Sequence, residues 1–275
     1  ATQLNSLESG DIALMTSSQI SGLSANQLVG LSTDKWSEFS SDHIAGLSSS
    51  QLSGLTTTVV ASLNSEQLNA LNTSQIQALS IAQLNSVNST ALANLESDDV
   101  AALTTGQIKG LSTTAVAALG TDQIQSLRRS QLGAMSYQQI NAFDSNEFGQ
   151  LSTEQVQGIV ADQFSRLTTA KIAELTTDLI AAITTEQIQK LSTTQVNALN
   201  SDQVANLTTS QIAALSTTQL NRLDTSAVDD LTTTDIQALS AAQMAGLSTD
   251  FISHLTTDQL GSLSTTQIGA LSSAQ

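Results

Sequence analysis

Every eighth residue from Leu7 to Leu271 is Leu, Met, Phe, Val or Ile, with no insertion or deletion between them. Taking that residue as position 0 of a unit, position 5 is equally strict, from Ile12, Ile20, Leu28 and Trp36 to Leu260 and Ile268. The consensus is L-[S/T]-[S/T]-x-Q-[I/L/V]-x-[A/G], heard twice in LTTSQIAALSTTQLNRL, residues 207–223. A period that runs through a whole chain is the mark of a repeat architecture. An unbroken helix cannot carry it, because eight residues turn through about 800° and the apolar stripe would drift by about 80° per unit. A continuous strand fails too, since positions 0 and 5 have opposite parity and would face opposite sides.

The pattern makes sense if each unit is its own very short helix. Position 1, usually Ser, Thr, Asn or Asp, is then the N-cap, whose side chain accepts from an orphan amide of the first turn. Position 4 is the third helical residue, and its glutamine can reach back to the amide of the cap, closing a capping box. Thr208 with Gln211 and Ser216 with Gln219 are examples. Positions 0 and 5 become the two partners of a hydrophobic staple. Twelve of the 24 acidic residues fall at position 3, among them Asp34, Asp98, Asp122 and Asp202. There a negative charge meets the positive end of the helix dipole. Eleven of the 14 glycines fall at positions 6 or 7, where the helix must end and close packing leaves room for little or no side chain.

A helix of one to two turns is unstable alone in water and folds only against neighbours. The expected fold is therefore all-α, a solenoid or superhelix with one helix per eight-residue repeat. Positions 0 and 5, such as Leu207, Ile212, Leu215, Leu220 and Leu223, should line its core. Seven position-0 residues are not leucine, and all of these except Phe143 are separated by multiples of 24: Met15, Phe39, Val87, Met135, Ile159 and Ile183. That spacing points to three repeats per superhelical turn. No composition shift or linker interrupts residues 1–275, which read as one continuous array. It opens and closes in mid-repeat, an arrangement that fits either a longer array or identical chains stacked end to end into a filament.

Only 3% of residues are aromatic and 12% charged, proline and cysteine are absent, and the net charge is −16. So acidic a chain, with eight Lys and Arg, has no basic face for nucleic acid or an anionic membrane surface. No apolar run approaches the ~20 residues that span a bilayer. Without cysteine there are neither disulfides nor thiolate metal sites.

Catalytic and cofactor signals are missing. His43 and His254 stand in distant units and read as solvent-facing variants of the consensus. No nucleophile elbow, P-loop or dinucleotide fingerprint occurs, and no calcium loop. The acidic pairs Asp98–Asp99 and Asp229–Asp230 read as solvated positions, not as ion ligands. No catalytic, cofactor-binding or metal residue is therefore expected, and no cofactor. The most irregular stretch, residues 127–148, carries Arg128, Arg129 and Tyr137 at outward positions; these three are the candidates for contact with a partner. Trp36 and Phe39 read as bulky core.

The unit resembles the short Leu/Thr/Gln/Ala octad arrays of very large bacterial exoproteins, the adhesin-like and haemagglutinin-like surface proteins. The resemblance runs the length of the chain. It implies an extracellular or cell-surface location and a structural or adhesive role, and it carries over no catalytic residue. Enzymes place their chemistry on loops of varied length, and none here departs from the eight-residue frame. The expectation is a stalk, spacer or filament element, not an enzyme. Its partners would be neighbouring repeats or identical chains, with no nucleic acid and no membrane insertion. The rival expectation is a module that binds glycan or another surface through its repeated Thr, Asn and Gln face.

Overall fold

The computed structural model of the chain describes residues 2–8 and 10–275. Among these residues it holds 33 α-helices of four to six residues and one 3-10 turn, Ile12–Leu14, and no strand. From Ser17–Ser21 onward each helix starts at position 2 of a unit, as in Thr209–Ala214, Thr217–Leu220, Thr225–Val228 and Thr233–Ala238. The corner between helices is two extended residues, positions 0 and 1. Leu215 has φ −64° and ψ 137°, and Ser216 has φ −68° and ψ 156°. A corner built from ordinary extended backbone needs no special residue, which is why every unit can be eight residues long.

The helices group into two compact units, Ala1–Phe143 and Asp144–Gln275. Within each, a helix packs on the one three places further along. In the first unit Ser97–Ala102 lies against Thr121–Ser126, and Thr105–Gly110 against Arg129–Ala134. In the second, Ala161–Phe164 lies against Thr185–Lys190, and Thr209–Ala214 against Thr233–Ala238. Three repeats therefore complete one superhelical turn. Within each unit the non-leucine residues spaced by multiples of 24 thus share a column: Met15, Phe39, Val87 and Met135 in the first, Ile159 and Ile183 in the second.

Outside the first and last turns, positions 0 and 5 are buried throughout, including Leu207, Ile212, Leu215, Leu220 and Leu223. Trp36 and Phe39 belong to this core, their rings stacked at 4.5 Å. Burying a side chain of this size contributes roughly 1.5–3 kcal/mol, and each short helix offers two such residues. That apolar burial supplies what helix propensity alone cannot.

The glycines answer to packing and not to backbone freedom. Gly22, Gly46 and Gly54 close their helices in right-handed conformation, and among the described residues only Gly10 has positive φ. What Gly110 needs is space, because a Cβ there would run into the Ile81 side chain, one turn earlier. At Gly246 the neighbour is Thr217 Cγ2, at 2.6 Å.

Candidate functional site

The capping boxes form as the spacing predicts. The Thr208 amide donates to Gln211 Oε1 at 2.6 Å, and the Gln211 amide donates to Thr208 Oγ1 at 3.3 Å. Ser216 and Gln219 repeat the pair at 2.8 and 3.3 Å. The structure adds a second role that the spacing did not reveal. Most position-4 glutamines beyond the first turn are buried, Gln211 to 2% exposure, and their amide groups reach the previous turn. Gln211 Nε2 donates to the Ile183 carbonyl at 2.7 Å and the Ile180 carbonyl at 2.8 Å. Gln107 does the same to Leu79 and Ile76, both at 2.9 Å.

The accepting carbonyls, one turn back, include those left unpaired at the end of a short helix. One side chain thus caps the start of its own helix and the end of another in the turn before. Repeated at successive turns, these glutamines form a buried polar seam between turns of each unit. A sequence signal for it exists. A capping box accepts Glu or Gln alike, yet this acidic chain keeps its acids at position 3 and prefers the amide at position 4. Only the amide can donate.

Units without glutamine show how strictly the seam is served. His43, read from the sequence as solvent-facing, is only 4% exposed. Its Nδ1 accepts from the Ser40 amide at 3.2 Å while Nε2 meets the Met15 carbonyl at 2.7 Å. The ring thus reproduces both halves of the glutamine, and its geometry requires the proton on Nε2. Lys35 supplies only the donor, its Nζ meeting the Glu8 carbonyl and Glu38 Oε1, both at 2.9 Å. The Lys35 ammonium beside Glu38 holds that carboxyl below its usual range, opposed by partial burial and helped by the Gly10 amide.

Where Lys35, Ala115 or Phe251 stands at position 4, the cap amide is met from another turn. Asn5, Asn85 and Asn221 present Oδ1 to the amides of Ser32, Ser112 and Ser248 at 3.0, 2.7 and 2.8 Å. The Nδ2 of each donates to a carbonyl further along the chain, that of Gly30, Gly110 or Gly246. Acidic position-4 residues keep only the acceptor half. Asp235 Oδ2 receives the Thr232 amide, and Oδ1 receives the Thr209 hydroxyl at 2.6 Å. Glu147 Oε2 receives the Asp144 amide at 2.7 Å; burial raises its pKa against that bond.

The Asp98–Asp99 pair is not uniformly solvated, as the sequence suggested. Asp98 is exposed, but Asp99 occupies position 4 and is buried; Asp229 and Asp230 are both exposed. Arg128 and Arg129 are exposed and Tyr137 is half-buried, while Phe143 and Phe148 from the same stretch are core. His254 lies partly exposed, with Nδ1 2.8 Å from the Asp250 carbonyl. The ionisable groups are thus dispersed along the coil. Two open depressions mark the surface. One, of about 410 Å³, runs from Ala93 to Ser97 and from Gly120 to Gln123; the other, of about 340 Å³, is lined by Thr193, Thr194, Asn197 and Arg222. Among the described residues no helix is long and apolar enough to cross a membrane.

Short helices joined by a polar seam at every turn define an α-solenoid repeat protein. The ALTTAQ repeat model matches residues 44–81, 92–129, 178–209 and 228–265, just over half of the sequence. The chain belongs to the ALTTAQ repeat family. No curated protein matches it.

Proposed function

We propose that this chain is a structural repeat region, a stalk, spacer or filament element of a large extracellular or surface-attached bacterial protein, and that it performs no catalysis. The observation that carries this reading is the glutamine seam. The residues that could do chemistry at position 4, His43, Lys35 and Lys171, are buried. His43 and Lys35 are committed to bonds between turns, and Lys171 pairs with Glu174 at 2.6 Å. Each turn also offers amide donors on one side and carbonyls on the other, so a further turn, from the same array or an identical chain, meets the same chemistry. Apolar side chains accompany both sides, half-buried Met15 and Leu23 of position 0 in the first turn and exposed Leu260 and Ile268 of position 5 in the last. A protein that extends by repeating one contact gains length and mechanical continuity.

A second reading rests on the outward Thr, Asn and Gln residues. The depression lined by Thr193, Thr194, Asn197 and Arg222 offers hydroxyl, amide and guanidinium groups together, the set that recognises a glycan or another polar surface. Arg128 and Arg129 offer further exposed donors. One experiment separates the readings. The purified chain is screened on a glycan array and on cell-wall material, and its mass is followed against concentration by light scattering. Absence of binding supports the structural role, and concentration-dependent growth in mass adds end-to-end assembly to it. Saturable binding that Arg222→Ala abolishes overturns it in favour of the second.

A further inference from the structure

Across most seams a donor at position 4 faces carbonyls of the previous turn, Lys35 and His43 preserve that donor, and elsewhere an apolar side chain such as Ala115 or Phe251 leaves no polar atom to serve. Asp99 is an acceptor at position 4, as Asp235 and Glu147 are, but one of its oxygens is left unserved. Its carboxylate sits where an amide belongs, and by the register of the ladder it faces the carbonyls of Leu68 and Leu71 in the previous turn. Its Oδ2 is buried with no hydrogen-bond partner. Asn69, on that previous turn, compounds the defect. Its Nδ2 donates to the Asn94 carbonyl at 2.9 Å, as Asn85 does to Gly110. Yet whereas Asn85 Oδ1 receives a cap amide, Asn69 Oδ1 is buried and receives nothing. Glu96, the cap of this helix, makes no side-chain capping bond. Asp235 shows that the substitution can be served, since Thr209 gives it a hydroxyl. At Asp99 acceptors face acceptors and the hydrogen is missing.

We propose that this seam takes up a proton, carried on Asp99, as its missing donor, so that the turns bearing Asn69 and Asp99 bind each other more tightly on acidification. The surrounding charges favour this over an ion pair. On its own unit Asp99 is flanked by Glu96 and Asp98. The helix Thr73–Ala78 beneath it carries no ionisable side chain, and Thr121–Ser126 above it carries only Asp122. The adjacent helices Ser65–Asn69 and Thr105–Gly110 contribute Glu66 and Lys109. Among the described residues no cation pairs with Asp99, and no group of three acidic or histidine side chains could hold a metal there. Burial first, then Glu96 and Asp98, raise its pKa from 3.8 to about 6. For an acid with a raised folded-state pKa, the penalty is present in full above about pH 6 and fades as the pH falls towards 4. Stability at this seam therefore rises on acidification within that window.

The test compares the full chain with Asp99→Asn and Asp99→Gln between pH 7.5 and pH 5. Hydrogen exchange at residues 97–103, corrected for intrinsic rate, reports the local opening constant. In the unsubstituted chain that constant should fall about tenfold more over this range than in either variant. All other carboxylates titrate in all three proteins, so the difference isolates Asp99. At pH 7.5 Asp99→Gln, which restores the amide, should be the most protected. Equal pH dependence in the three proteins overturns the proposal. So does protection at pH 7.5 that millimolar calcium or sodium confers on the unsubstituted chain and not on Asp99→Gln, which would make the missing partner a cation. Should the variants fail to fold, the carboxyl carbon of Asp99 is followed by NMR in the unsubstituted chain. A midpoint near 6 supports the proposal, and one near 4 overturns it.

Discussion

Gln211 makes four hydrogen bonds from one buried side-chain amide, and each partner is a backbone group, the Thr208 amide and the carbonyls of Ile180, Ala181 and Ile183. A neutral bond of this kind contributes about 1 kcal/mol net, but an abandoned buried group costs about 1–3 kcal/mol. Gln211→Leu should therefore lower unfolding stability by about 2–4 kcal/mol in urea titrations at pH 7. Gln211→Glu keeps shape and acceptor but turns a charge towards those carbonyls, so it should cost more than leucine at pH 7 and recover part of the loss near pH 4. If glutamate were the milder change, the amide would not be acting as a donor. Asn85 allows a finer check, since it serves both the Ser112 amide and the Gly110 carbonyl. Asn85→Ala, which frees both groups, should cost about 2 kcal/mol. In an Ala115→Gln background, where a position-4 glutamine can reach Ser112, that cost should shrink. Additive losses in the double-mutant cycle would argue against the exchange of roles.

A single helix is specified by its cap, its two apolar residues and the space left at its end. Gly110 shows the last of these, with Ile81 pressed against the place a Cβ would take. Gly110→Ala should destabilise by about 1 kcal/mol despite alanine's better helix propensity, because the new methyl meets a branched, stiff side chain. In an Ile81→Ala background the same change should become neutral or stabilising in thermal melts. A loss that persists there would place the constraint in the backbone and not in the contact. Caps, by comparison, are replaceable singly. Ser216→Ala should cost about 1 kcal/mol, while Gln219 keeps its bond to the Ser216 amide and its hold on the turn before.

At the level of each compact unit, the strongest helix–helix contacts among the described residues run between successive turns. Stability should then be a sum of local terms and interfaces. Leu215, 1% exposed, is a core residue of the second unit. Leu215→Asp should abolish hydrogen-exchange protection in its own repeat and in repeats up to one turn away, with protection recovering further off. Loss of protection to the same degree throughout the second unit would indicate a cooperative domain instead of a linear array.

The octad by itself determined the short helices, their caps and the buried pair at positions 0 and 5, all of which follow from local hydrogen bonding and from the arithmetic of one period. The three repeats per turn were legible only in a longer spacing, the multiples of 24 that separate Met15, Phe39, Val87, Met135, Ile159 and Ile183. The tertiary structure decided what the position-4 side chains do. The amide nitrogen of Gln211 bonds the carbonyls of Ile180 and Ile183 in the turn before, and no local rule couples residues so far apart in the chain. For the same reason His43 read as an exposed variant and proved a buried replacement, and Asp99 read as solvated and proved a donor missing from the seam. Outward residues such as Arg128 and Arg129 stay equally open at both levels, because a solvated side chain is constrained neither by the period nor by the packing.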